Sequence, residues 1–229
     1  MVGARPPAPA SESELLARAA GIAGKTLGRI AVAAGLGVPA DQKRMKGWVG
    51  ELIECCLGAN AASLPEPDFR EIGVELKTLP VNRLGRPGES TYVCHVPLAG
   101  ELGTWRNSNV YRKLARVLWV PVEADKTIPL YQRRIGSAFL WSPGVDEEGV
   151  LRSDWEELTE MIAQDGLDRI SARHGRYLQI RPKAANARVL TRHATPEGAS
   201  LQTNPRGFYL RAKFTRRILA AFQGGAVLP

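Results

Sequence analysis

The run from Arg116 to Val122, RVLWVPV, constrains the fold more than any other stretch of this chain. After Arg116 it is continuously apolar with no polar alternation, the pattern of a strand covered on both faces. Such a strand needs layers on either side, so the fold class is α/β with a mixed central sheet flanked by helices. Residues 72–79 and 90–97 read as further strands, separated by the loop from Asn82 to Gly88. Residues 177–180 and 207–210 read as short strands or turns. Ser11-x-x-Glu14 has the form of a capping box ahead of Leu15, Leu16, Ala19 and Ala20 at helical spacing. A second helix is expected over 26–34, stopped by Gly35, Gly37 and Pro39. A third starts at Lys46, with Trp48, Val49, Leu52, Ile53, Cys56 and Leu57 on one face. Ser153-x-x-Glu156 predicts a helix over 154–163, and 212–222 predicts the last. Trp105, Trp119, Trp141 and Trp155 sit in apolar contexts and belong to the core. No internal repeat and no long linker divides the chain.

Charge narrows the function classes. Of 229 residues, 31 are Lys or Arg and 23 are Asp or Glu, a net charge of +8. A basic balance favours a polyanionic partner, because neutralising phosphates releases condensed counterions. It is equally the surface of an ordinary soluble protein. No apolar run reaches the roughly 18 residues of a membrane span. Residues 1–10, rich in Pro and Ala, read as a disordered tail without a signal-peptide pattern, so the expected location is cytoplasmic. The cysteines, Cys55, Cys56 and Cys94, are odd in number and lack a CxxC spacing. They support neither a disulfide framework nor a zinc site, even with Cys94-His95 set beside His174 or His193.

Chemistry concentrates in Pro67-Asp68 followed by Glu75-Leu76-Lys77. On a strand, Glu75 and Lys77 share one face, their Cα atoms about 6.6 Å apart. A carboxylate there binds a hard cation while the ammonium reaches the adjoining water or phosphate, with Asp68 as a second carboxylate. Phosphodiester hydrolysis needs such a cluster to activate water and to stabilise charge on the attacking and leaving oxygens. The other acid-x-Lys triplet, Asp41-Gln42-Lys43, lies in a polar turn with no Asp upstream. The same residues also describe an edge strand with a surface Glu–Lys pair, a commonplace arrangement.

Pro67-Asp68 with Glu75-x-Lys77 resembles the PD-(D/E)xK nuclease superfamily. Six further blocks, in order, resemble the MutH family of mismatch repair endonucleases: KGWVG from Lys46, GVELKT from Gly73, LGRP from Leu84, KLARVLW from Lys113, YLQIRPKAAN from Tyr177 and RGFYL from Arg206. The resemblance runs from about Glu14 to about Leu219. It implies a restriction-endonuclease-like fold with two lobes around a DNA-binding cleft. Residues 11–229 would form a single nuclease domain, with a catalytic core over about 46–125 and a DNA-reading part over about 170–222. It implies Asp68, Glu75 and the Leu76 backbone carbonyl as ligands of one or two Mg2+ ions, with Lys77 orienting or activating the attacking water. Glu54 and Lys113 would complete the catalytic set. Read without the family, Glu54 is a solvated glutamate off the apolar face of its helix, and Lys113 a surface lysine. Lys46, Tyr92, Arg181, Pro182, Lys183 and Tyr209 would contact DNA. The activity implied is cleavage of the unmethylated strand at hemimethylated GATC sites by a monomer, stimulated by a MutL-type activator. Arg and Lys bond guanine O6 and N7, and an aromatic ring packs on an adenine edge or its methyl group. A restriction-type GATC endonuclease and a non-catalytic basic DNA-binding protein are the alternatives. Two basic clusters, Arg83/Arg86 and Arg211/Lys213/Arg216/Arg217, are candidates for phosphate contact, the second more so because it follows the presumed reading segment.

Overall fold

The structure, a computed structural model, describes residues 5–39, 42–61, 64–98, 103–164, 167–183, 191–194 and 200–224. The chain divides into two compact units, one of residues 1–88 and 115–142, the other of residues 89–114 and 143–229.

The first unit begins with helices α1 (Glu12–Ile22), α2 (Leu27–Ala34) and α3 (Gln42–Leu57). Ser11 Oγ accepts the Glu14 amide, as the capping-box pattern requires, but the Glu14 carboxylate returns to the amide of Ala10 rather than Ser11. Thr26 caps α2. Strand β1 (Glu75–Val81) runs parallel to β3 (Val117–Glu123), which pairs antiparallel with β4 (Phe139–Trp141). The sheet is therefore mixed, in the order β1-β3-β4. Residues 117–122 of β3 are all buried, as their unbroken apolar run demands. One sheet face, with Leu76, Leu118, Val120 and Val122, packs into a core with Leu52, Ile53 and Leu57 of α3. Trp119 and Trp141 are fully buried with ring centroids 6.2 Å apart.

The second unit contains β2 (Thr91–His95), α4 (Asn109–Leu114), α5 (Val145–Ala163), β5 (Leu178–Pro182), the hairpin β6 (Thr191–Ala194) and β7 (Ser200–Thr203), β8 (Arg206–Leu210) and α6 (Ala212–Gln223). Its main sheet is antiparallel, ordered β2-β8-β5. Tyr177 stacks on Phe214 of α6 at 4.1 Å, and Trp105 packs against Trp155.

Four expectations need correction. The strand expected over 72–79 starts at Glu75, since Arg70–Ile72 form a 3-10 turn ended by Gly73 in the left-handed region. β1 and β2 do not share a sheet: β2 finds its partner in β8, more than a hundred residues on. The helix expected from residue 154 begins at Val145, so Ser153 lies inside it; the amide at its N-cap, Gly144, bonds Glu147 Oε2. Of the expected disordered tail, residues 5–10 are described and are held in place. Arg18 Nη1 donates to Pro7 O at 2.6 Å and to Leu57 O at 2.9 Å, tying the segment to the end of α3.

Candidate active site and nucleic-acid interface

The acid–acid–lysine set converges in the first unit. Gly73 ends the 3-10 turn and turns the chain into β1, so Glu75 and Lys77 open the strand on one face. Lys77 Nζ lies 2.7 Å from Glu75 Oε1. Glu75 is 3% exposed and Lys77 7%, which rules out a surface pair. Two buried ions are costly to desolvate, so their retention here is not a stability device. Asp68 comes from the segment before the turn, and its Oδ2 accepts the Leu76 amide at 2.8 Å. That amide belongs to the peptide joining Glu75 to Leu76, so the two acids meet at one point of the backbone. Leu76 itself turns its side chain into the core.

Glu54 arrives from the last turn of α3. It is half-buried, and its pKa is raised by desolvation first and by the negative charge of Glu75 second, while Arg5 and Lys77 pull it down. A solvated glutamate would show no such shift, and the influence of Glu75 and Lys77 on Glu54 puts all three in one electrostatic neighbourhood.

The donors are hard oxygens, the chemistry that Mg2+ prefers. Among the described residues no group of three His, Cys, Asp or Glu is gathered to hold a metal. Two carboxylates and a backbone carbonyl suit an ion that keeps several of its waters.

In the second unit the residues expected at DNA gather on one face of β2-β8-β5. Tyr92 pairs with Tyr209 across β2 and β8, and Tyr209 pairs with Gln179 of β5. The two tyrosine rings meet edge to face at 5.4 Å. Lys183 Nζ lies 3.4 Å from the Tyr92 ring centroid, and the Arg181 guanidinium 5.9 Å from that of Tyr209. Pro182 ends β5 between them. Gly207 makes room for the rings, because a Cβ there would stand 2.9 Å from Tyr92 Cε2 and 3.1 Å from Tyr209 Cε2.

The remaining assignments separate. Lys113 lies on α4 of the second unit, half-buried. Lys46 is in α3, but its side chain falls outside the described residues, as does Asp41. Of the basic clusters, Arg83 pairs with Asp125 and bonds Thr127. Arg211 bonds the carbonyls of Ala172, His174 and Gly175, and Arg217 bonds Glu147 and the Tyr177 hydroxyl. All three arginines bond the protein's own groups, and the side chains of Arg83 and Arg217 remain exposed. Lys213 and Arg216 are exposed.

Two further residues contact this set without having been singled out in the sequence. Ser90 Oγ accepts from Arg181 at 2.8 Å and from Gln179 at 3.0 Å. His95 Nε2 lies 3.3 Å from Lys183 Nζ. Strict alternation puts residues 92 and 95 on opposite faces; a β-bulge between Tyr92 and Cys94 brings them to the same one. Neither residue carries a sequence signal of its role.

A mixed α/β unit with an acid and a lysine at the start of a strand and a second acid on the segment before it fits a nuclease of the PD-(D/E)xK class, a hydrolase. The sequence model of one family, described as "MutH: DNA mismatch repair enzyme MutH", matches residues 57–154, which include Asp68, Glu75, Lys77 and Lys113. The DNA mismatch repair protein MutH of Salmonella typhi is 57% identical over 213 residues, 93% of this chain and 92% of that protein. The protein of the same name from Citrobacter koseri is 55% identical over 223 residues, 96% and 97% of the two chains. The chain belongs to the MutH family and is a mismatch repair endonuclease. Membership implies a divalent metal cofactor. No helix among the described residues is long and apolar enough to cross a membrane.

Proposed function

We propose that this endonuclease nicks the unmethylated strand of duplex DNA at hemimethylated GATC sites, using Mg2+ and activated by a MutL-type partner. The observation that carries the reading is the buried Lys77–Glu75 pair joined to Asp68 through the Leu76 amide. Asp68, Glu75 and the Leu76 carbonyl would hold the ion, which supplies a Lewis acid for the water and for the phosphate oxygens. Lys77 holds a positive charge beside Glu75, where it steadies the attacking water and offsets charge gathering on the phosphate. Glu54, with its raised pKa, is suited to hold a proton at this site. Lys113 completes the set by family resemblance. Arg181, Lys183 and Tyr209 read base edges, with Tyr92, Pro182 and Lys46 as further contacts. A single catalytic set per chain agrees with a monomer making single-strand cuts in the cytoplasm.

The test is a duplex with one GATC site, supplied unmethylated, hemimethylated and fully methylated, with Mg2+. The expected outcome is cleavage confined to unmethylated strands, and a loss of about 10²–10³-fold in nicking for Lys77→Ala with DNA binding retained. Cutting of methylated strands would favour a restriction-type enzyme. Undiminished nicking by Lys77→Ala would remove the lysine from the chemistry.

A further inference from the structure

His95 stands on the reading face with no part in the reading given above. Its Nε2 lies 3.3 Å from Lys183 Nζ, and its ring meets the edge of Tyr92 at 5.8 Å. The same ammonium sits over Tyr92, so Lys183 is held from two sides. An ammonium only donates, so Nε2 must offer a lone pair, which only the neutral imidazole has. The Arg206 backbone beside the ring acts the other way and favours its charged form, a smaller influence than burial or Lys183. The bulge that brings His95 to this face would otherwise cost the strand a regular ladder position without return.

We propose that His95 is a positioning residue for DNA recognition: as the neutral imidazole it holds the Lys183 ammonium against the Tyr92 ring and fixes the direction in which that donor meets a base edge. The inference rests on the assignment of Lys183 to base reading. The charged group facing His95 is Lys183, from the end of β5. Arg206 of β8 meets it through the backbone, while its guanidinium lies 3.6 Å from Asp168. Arg181 is engaged by Ser90, and Tyr92 and Tyr209 supply neutral rings. Partial desolvation of the ring first and the Lys183 charge second hold the His95 pKa below its ordinary 6.5. The ring is therefore neutral at pH 7 and gains its proton only in more acid solution, where imidazolium and ammonium repel and the support is lost.

The experiment measures affinity of the full chain for a GATC duplex and a scrambled duplex, by anisotropy in Ca2+, from pH 5.5 to 8. The variants are His95→Val, His95→Gln and Lys183→Ala. His95→Val should lower the specific-to-scrambled ratio about tenfold at pH 7.5, the scale of one charge-assisted hydrogen bond. His95→Gln, whose amide oxygen can accept from Lys183 and does not titrate, should keep the ratio. The wild-type ratio should hold from pH 7 to 8 and decline toward the acid end of the range, while that of His95→Gln stays level. His95 is exposed, so melting temperatures should stay close to wild type. Should Lys183→Ala lose discrimination while His95→Val keeps it, or should His95→Gln fail as badly as His95→Val, the positioning role is overturned. Should Lys183→Ala itself keep full discrimination, the base-reading assignment falls and the role of His95 with it.

Discussion

At the scale of single residues, Glu54 is where stability and activity oppose each other. Desolvation and the neighbouring Glu75 raise its pKa above 4.5, so the folded chain prefers the protonated acid. The stability that this preference contributes is complete below the unfolded value and is lost as pH rises through the folded one. Above the folded value the ionised carboxylate is thus a burden on the fold. Glu54→Gln keeps the shape and stays neutral. It should raise the melting temperature at pH 7.5 in EDTA, with the gain shrinking toward pH 4, while nicking in Mg2+ falls at least about tenfold. Calorimetry across that range checks the sign, and a variant less stable than wild type at pH 7.5 would contradict it. Lys77 and Glu75 carry the same tension in paired form, since removing either leaves its partner as an uncompensated buried charge.

At the scale of elements, β5, the strand proposed to read bases, is held at its start by a residue of α5. Asp154 of α5 is 5% exposed, and its carboxylate accepts the amides of Arg176, Tyr177 and Leu178 at 2.7, 2.6 and 2.8 Å. Gly175 precedes them at φ +72°, and a Cβ there would stand 2.0 Å from Leu178 O. Hydrogen bonds to a charged group contribute about 1.5–3 kcal/mol each, though three sharing one carboxylate do not add. Asp154→Ala should therefore destabilise the chain by about 3 kcal/mol or more, measured in urea, and weaken GATC discrimination. A loss under about 1 kcal/mol would mean that α5 does not anchor this strand. No sequence rule selects Asp154, because a buried carboxylate looks like any helix glutamate or aspartate until its partners, more than twenty residues away, are known. The same limit explains the rest. Periodicity located α1, α2, α6 and β3 to within a residue or two, since their patterns are local. It put β1 and β2 in one region because strand pairing is not local, and it started α5 nine residues late because Gly144 gives no side-chain cap. The acid-x-Lys face of β1 was legible from alternation alone. Glu54 needed the resemblance, and His95 was hidden by a bulge that no composition rule signals.

At the scale of the whole molecule, the chain passes between its two units at 88/89, 114/115 and 142/143, so the residues proposed for catalysis and for base reading are interleaved in sequence. The excess of basic residues is interleaved as well, and the structure sorts it. Arg83, Arg211 and Arg217 bond the protein's own groups, Lys213 and Arg216 are exposed on α6, and Arg181 and Lys183 lie beside the tyrosine rings. Only cations that reach phosphates release counterions, so the salt dependence of binding counts them rather than the net charge of +8. A plot of log affinity for duplex DNA against log salt should fall with a slope of about −3 to −6. Lys213→Ala should reduce its magnitude by about one, uniformly for GATC and scrambled duplexes. Arg211→Gln should leave the slope unchanged and lower the melting temperature instead, because it removes bonds to three backbone carbonyls. A flat salt response in wild type would deny a phosphate contact of any size, and a slope change in Arg211→Gln equal to that in Lys213→Ala would show that the protein's own carbonyls do not hold that guanidinium when DNA is bound.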